Sequence, residues 1–231
     1  MEKMQGTAHL KLGIDDAGRG PVIGPMALAG CLMDEKLEEE FRNLGIKDSK
    51  QITPKRREEL AKIIKEKAET FEITLTFPSE ITDKNKNGVN LNTIEAQKSA
   101  EIINKINKGH GKIKVYIDCP SPNIPAWQRI VENYIKNKEN LEIHCEHKAD
   151  INHISCSAAS ILAKTTRDKE VEKIRKLVGV DFGSGYPSDP LTCKFLKDYS
   201  EKHKRDGIFR ETWSTWKTAC KVKEQKKLSS F

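Results

Sequence analysis

The sequence predicts an α/β domain built on a mixed β-sheet, and three observations carry that expectation. Segments with strand character alternate along the chain with segments whose apolar residues recur at helical spacing. One strand-like run, residues 22–33, is apolar with little alternation, as in a strand covered on both faces. Neither an internal repeat nor a long low-complexity linker breaks the series.

Residues 10–14 read as the first strand, which runs into the acidic pair Asp15 and Asp16. The turn from there to residues 22–33 is short, so the two strands are expected to pair as an antiparallel hairpin. Residues 54–68 spell an amphipathic helix. Thr53 caps it, Pro54 takes its first position, and Leu60, Ile63 and Ile64 form the apolar stripe. Residues 71–77 place Phe, Ile, Leu and Phe on one side and Glu, Thr and Thr on the other, which is a strand. Residues 90–107 return to helical spacing through Ile94, Ile102, Ile103 and Ile106. A buried strand over 113–117 ends on Asp118 and is stopped by Cys119-Pro120; a helix over 124–135 and a strand over 141–145 follow. Asp150 then stands between that strand and a long helix over 157–177. Beyond Gly179 come the turn Gly183-Ser184-Gly185-Tyr186-Pro187, a helix over 191–202, and a basic stretch through Trp213 and Trp216. The expected division is a main domain over 8–178, a helical extension over 179–222 packed on it, and a tail over 223–231.

The 231 residues suffice for a proper core. A charged fraction of 32% and a mean hydropathy of −0.64 describe a very polar chain. No apolar run approaches a membrane span, and Met1-Glu2-Lys3 does not open a signal peptide, so a cytoplasmic protein without membrane contact is expected. The net charge of +7 suits a polyanionic partner. Six scattered cysteines, Cys31, Cys119, Cys145, Cys156, Cys193 and Cys220, contain no Cys-x-x-Cys pair and are expected as reduced thiols. The group His144, Cys145, His147, His153 and Cys156 matches no common zinc spacing; Leu141, Ile143 and Cys145 alternate as the inner face of a strand instead.

The chemistry concentrates in aspartates at strand ends: Asp15 and Asp16, Asp118, and Asp150 ahead of a helix. In open α/β sheets ligands gather beyond the carboxyl ends of the strands, where residues distant in sequence converge. Adjacent strand residues face opposite sides, so Asp15 and Asp16 share a site only where the strand ends or bends. Gly18 and Gly20 make such a bend feasible. Clustered carboxylates repel one another, and divalent cations relieve that repulsion; two ions ~4 Å apart activate a water and stabilise a leaving oxygen. Bare backbone in Gly18-Arg19-Gly20 can approach a sugar or phosphate closely. The loop lacks the Gly-Lys-Ser/Thr of a nucleotide-binding phosphotransferase.

Five motifs occur in order: GIDDAGRGPVIGPM, KDSK at 47–50, YID at 116–118, KAD followed by SAASILAK over 148–164, and GSGYPSDP at 183–190. Together they resemble ribonuclease HII in its archaeal and eukaryotic-like form, over nearly the whole chain from Lys11 to Trp216. The resemblance implies an RNase H-like fold, a five-stranded mixed sheet flanked by helices with a helical C-terminal extension. It implies Mg²⁺- or Mn²⁺-dependent cleavage of RNA in RNA–DNA hybrids and 5′ of single ribonucleotides embedded in duplex DNA. The products would be 3′-hydroxyl and 5′-phosphate ends, which suits ribonucleotide excision repair and replication by a monomeric enzyme. Carried over by motif, Asp15, Asp16, Asp118 and Asp150 are the catalytic metal ligands. Gly18, Arg19 and Gly20 contact the ribose 2′-hydroxyl, Lys50 holds a backbone phosphate, and Tyr186 packs on the sugar at the RNA–DNA junction. A catalytically silent nucleic-acid-binding module is the alternative, and retention of all four acidic positions argues against it.

The chain departs from the family pattern at Asp16, where Glu is usual. The missing methylene shortens reach by about 1.5 Å, one carbon–carbon bond. The final residues Gln225-Lys226-Lys227-Leu228-Ser229-Ser230-Phe231 resemble the Gln-x-x-aliphatic-x-x-aromatic peptide that docks repair enzymes on the sliding clamp. Gln225, Leu228 and Phe231 would make the contacts, without the usual second aromatic.

Overall fold

The structure, a computed structural model, describes residues 10–46, 52–109 and 111–219. Lys50, Gln225, Leu228 and Phe231 lie outside the described residues, as does Cys220. Five strands, β1 (Leu10–Ala17), β2 (Met26–Met33), β3 (Thr70–Thr76), β4 (Ile113–Asp118) and β5 (Leu141–Glu146), form one sheet in the order β3-β2-β1-β4-β5. The helices are α1 (Glu35–Asn43), α2 (Pro54–Lys67), α3 (Pro78–Lys86), α4 (Leu91–Ile106), α5 (Ile124–Tyr134), α6 (Ala149–Asn152), α7 (Ile154–Val178) and α8 (Pro190–Tyr199). This five-stranded mixed sheet with flanking helices is the architecture expected from the sequence.

Local chemistry explains most boundaries. The Thr53 hydroxyl accepts from Arg56 N–H and Pro54 occupies the first position of α2, as its sequence foretold. Asp34 caps α1 through Leu37 N–H, and the buried Leu37 and Phe41 anchor that helix. Neither α1 nor α3 stood out in the sequence. The first is dominated by charge, and the second opens on Pro78 directly after a strand.

Three expectations need correction. β1 continues past residue 14 to Ala17, so both acidic residues belong to the strand. β2 starts at Met26 rather than Val22, because Pro21, Pro25 and Gly24 at φ +89° break the run. Residues 22–24 find other backbone partners: Val22 N–H donates to Gly185 O, Gly24 N–H to Ile208 O, and Val22 O accepts from Arg210 N–H. The helix of the extension stops at Tyr199, not at residue 202.

The chain divides into two compact units. The first takes in the chain through Ala17, Leu28–Thr74 and Asn92–Thr165. Its centre is the parallel trio of β1, β4 and β5, with Leu12, Ile14, Val115 and Ile117 buried. Two glycines let helices lie directly on the strands. A Cβ on Gly13 would come 2.0 Å from Ser155 C and 2.1 Å from Cys156 N in α7, and one on Gly30 would come 2.4 Å from Ile102 in α4. The second unit takes in Gly18–Ala27, Leu75–Leu91 and the chain from Thr166 onward. Its own core gathers Val22, Ile23, Val171, Phe182, Phe195 and Phe209, with Trp216 stacked 4.4 Å from Phe209.

Candidate active site

Parallel pairing of β1 with β4 runs in register from Leu10↔Ile113 to Ile14↔Ile117. The next residue on each strand is an aspartate, Asp15 on β1 and Asp118 on β4. Two carboxylates therefore stand side by side at the carboxyl ends of neighbouring parallel strands. Asp118 is paired in turn with Glu146 of β5. The close seat of α7 over Gly13 identifies the face on which Asp15, two residues further along, emerges.

Asp150 reaches this end of the sheet through a tight connection after β5. Lys148 there adopts φ +61°, the only non-glycine with positive φ among the described residues. The strained residue turns the chain into α6, and Ala149 N–H then donates to Asp118 Oδ1 at 3.0 Å. Ser157 Oγ donates to Asp150 O at 2.5 Å, tying the turn to α7. Asp15 is 5% exposed and Asp150 3%, whereas Asp16 and Asp118 are half-buried. Burial above all holds the Asp15 carboxyl well above the ordinary carboxylate range. The charge of Asp16 adds to the shift, a hydrogen bond with Ser160 opposes it, and the charges of Asp118 and Asp150 add to it again. Asp15 thus lies within the electrostatic influence of the other three sequence-predicted acids.

Four carboxylates supply the hard oxygen donors that Mg²⁺ and Mn²⁺ select, and a cation there would lift the repulsion that loads Asp15. The donor set therefore fits a divalent cation. As they stand, no three His, Cys, Asp or Glu side chains among the described residues are grouped closely enough to hold a metal ion. Asp15 Oδ1 instead accepts from Asp16 N–H at 2.7 Å, and Asp118 Oδ1 from Ala149 N–H. The histidines have other duties: His147 Nδ1 bonds Cys119 O, and His153 bonds Glu146. The described cysteines are free thiols, and burial pushes Cys31 up to about 12.

The second unit contains Gly18, Arg19, Gly20 and Tyr186 and brings them together. Gly18 has φ +82°, and a Cβ there would come 2.5 Å from the Arg167 side chain. A Cβ on Gly20 would come 3.0 Å from Tyr186 Cε1, so the ring lies against the second glycine. Tyr186 is 41% exposed on a turn built by its own motif. Asp189 accepts from Ser184 N–H and Oγ at 2.7 and 2.8 Å and from Leu191 N–H at 2.9 Å, closing the turn and capping α8. These bonds, that from Ser184 N–H foremost, hold the Asp189 carboxyl below its usual range.

Two arginines of this unit escaped the sequence reading. Arg210 is fully buried and donates to Gly18 O and Arg19 O at 2.6 Å each and to Gly24 O at 3.0 and 3.1 Å. Its guanidinium lies 5.1 Å from the Trp213 ring, and Trp213 Nε1 donates to Gly20 O at 3.1 Å. The loop's carbonyls are thereby committed. In trans peptides the following N–H points the opposite way, so the amides of Arg19 and Gly20 turn away from Arg210. Arg167, with its side chain 12% exposed, lies over the Tyr186 ring at 5.9 Å. Desolvation lowers its pKa, and the nearby Tyr186 opposes that shift. Its place just after SAASILAK was a usable signal; nothing near Arg210 in sequence pointed to a loop 191 residues away.

Carboxylates at the ends of neighbouring parallel strands place the first unit among α/β scaffolds suited to hydrolysis assisted by a divalent cation. A family model described as Ribonuclease HII matches residues 12–216. The Ribonuclease HII of Pyrococcus furiosus is 43% identical over 207 residues, 88% of either chain. The structure is similar to that of ribonuclease H2 from Pyrococcus horikoshii OT3, with a TM-score of 0.81 and 36% identity over 91% of this chain and 96% of that one. It is similar as well to the PCNA:RNase HII complex from Archaeoglobus fulgidus, with a TM-score of 0.75 and 35% identity over 90% and 94% of the two chains. The chain belongs to the ribonuclease HII family. It is a hydrolase, an endonuclease acting on RNA–DNA hybrids.

Proposed function

We propose that this enzyme also cleaves 5′ of single ribonucleotides embedded in duplex DNA, leaving 3′-hydroxyl and 5′-phosphate ends, with Asp15, Asp16, Asp118 and Asp150 holding Mg²⁺ or Mn²⁺. The observation that carries the assignment is that Asp15 and Asp118 each stand one residue beyond the last registered pair of adjacent parallel strands, Ile14↔Ile117, with the charges of Asp16, Asp118 and Asp150 all acting on Asp15. Held by these carboxylates, divalent cations would supply an activated water and a counter-charge for the departing 3′-oxygen. The chain's own groups orient the substrate. Backbone amides of Arg19 and Gly20, turned outward by Arg210, read the 2′-hydroxyl that distinguishes RNA from DNA. Tyr186 offers its exposed face to the sugar, and Lys50 holds a phosphate. The tail residues Gln225, Leu228 and Phe231 dock the enzyme on the sliding clamp, a reading supported by the Archaeoglobus complex with PCNA. Action as a cytoplasmic monomer in ribonucleotide excision repair is part of the same proposal.

Duplex DNA carrying one ribonucleotide, incubated with Mg²⁺ beside an all-DNA duplex and an Asp118→Asn variant, tests the reading. Cleavage on the 5′ side of the ribonucleotide is expected, absent from the all-DNA control and from the variant. Binding of the duplex without cleavage would point instead to a silent module. Full activity of the variant would remove Asp118 from the ligand set. A chain lacking residues 225–231 is expected to lose clamp binding; undiminished binding would exclude the tail.

A further inference from the structure

His153 stands three residues beyond Asp150 and has no role in the reaction as described so far. Its ring is stacked on Tyr116 of β4, with centroids 3.7 Å apart and planes 15° apart. Its Nε2 lies 2.7 Å from Glu146 Oε1 at the end of β5, and the neighbouring Asn152 Nδ2 donates to the same oxygen at 3.2 Å. One side chain of the Asp150 turn therefore grips both strands. Tyr116 is two residues before Asp118 on the same side of β4, and Glu146 is the registered partner of Asp118. The backbone continues the clasp, since His153 N–H donates to Ala149 O and Ala149 N–H to Asp118 Oδ1. A left-handed Lys148 at the start of this turn stores strain that some contact further along must hold in place.

We propose that His153, acting through Glu146 and Tyr116, is a positioning residue that sets the separation of Asp150 from Asp118 and hence the affinity of the acidic site for divalent cations. The proposal rests on the reading of these aspartates as cation ligands. Neither ring nitrogen of His153 need touch the cation. The residue resembles the outer partners of metal sites, whose loss weakens binding although the ligands remain. The clasp also commits Glu146 Oε1 to His153 and Asn152.

The test is a titration of the substrate-free full-length protein with Mn²⁺, counting free Mn²⁺ by electron paramagnetic resonance. His153→Phe keeps an aromatic stack but loses the bond to Glu146; Glu146→Gln removes the carboxylate. Each is expected to weaken Mn²⁺ binding ~10-fold. The double variant should be no weaker than either single one, because the two residues act as a unit. His153→Gln, which retains a polar partner for Glu146, is expected to recover most of the affinity and serves if the Phe variant does not fold. Cleavage at saturating Mn²⁺ should approach the parent rate, with the defect confined to limiting metal. Unchanged Mn²⁺ affinity in both single variants, or additive losses in the double variant, would overturn the positioning role. Asp118→Asn runs in parallel: if it too leaves Mn²⁺ binding unchanged, the ligand reading itself fails, and the positioning role with it.

Discussion

Replacing Arg210 by Met removes the donors that organise the glycine loop while preserving most of the aliphatic stem. The guanidinium is fully buried and serves three carbonyls, those of Gly18, Arg19 and Gly24. Hydrogen bonds to a charged group contribute roughly 1.5–3 kcal/mol each, and a buried acceptor left without one loses about 1–3 kcal/mol. Water can enter part of the vacated volume and recover some of this loss. Stacking on Trp213 adds about 1 kcal/mol. The expected destabilisation is therefore about 3–6 kcal/mol, a large share of the roughly 5–15 kcal/mol that holds a domain together. Urea unfolding followed by tryptophan fluorescence reports it directly, because Trp213 and Trp216 both lie in the affected unit. Arg210→Lys keeps the charge but not the planar fork, and should recover less than half of the loss. If the loop reads the 2′-hydroxyl as proposed, hydrolysis by the Met variant at low temperature, where it remains folded, should fall more on a single embedded ribonucleotide than on a continuous hybrid, since only one 2′-hydroxyl is there to be read. A change in unfolding free energy below about 1 kcal/mol would refute the assignment of Arg210 as the loop's organiser.

Further outcomes follow from single contacts. Gly13→Ala drives a Cβ into the backbone of Ser155 and Cys156, so it should cost more than about 3 kcal/mol and leave mostly insoluble protein; a soluble variant with near-parental melting would contradict the packing of α7 on β1. The Asp189 carboxyl titrates below its unfolded value, so its contribution to stability is present above that unfolded value, near 3.8, and is lost as pH falls through the lower folded one. The gap in melting temperature between the parent and Asp189→Ala should be constant near neutrality and close on acidification below about pH 4; a gap that persists at pH 2 would show that the carboxylate charge is irrelevant to the turn. Asp16→Glu restores the missing methylene and is expected to lower the Mg²⁺ concentration needed for half-maximal cleavage. Identical Mg²⁺ and Mn²⁺ dependences before and after would make the shorter side chain inconsequential.

The legible parts of this protein were those whose cause is local. Thr53 and Pro54 announce α2 because a cap and a preset φ act within one turn. Strand β4 ends on Asp118 because Cys119-Pro120 follows, and the Asp189 cap sits inside the motif that it closes. The start of β2 was misjudged because Val22 and Ile23 are apolar for another reason: they fill a second core with Phe182, Phe195 and Phe209. Composition cannot say which of two cores an apolar residue enters.

Motif order along the chain was enough to reach the family, since five short signatures each answer to a local chemical need. It also named the four aspartates and the glycine loop. Three-dimensional packing alone decided how those residues are held. Asp15 and Asp118 become neighbours through parallel register, across 103 positions of sequence. The glycine loop is held by an arginine 191 positions away, and the Asp150 turn is tied to a neighbouring strand by a histidine. Hydrogen bonds and Coulomb forces act over a few ångströms of space whatever the separation along the chain, so the partners that set a site's geometry leave little trace in the order of its residues.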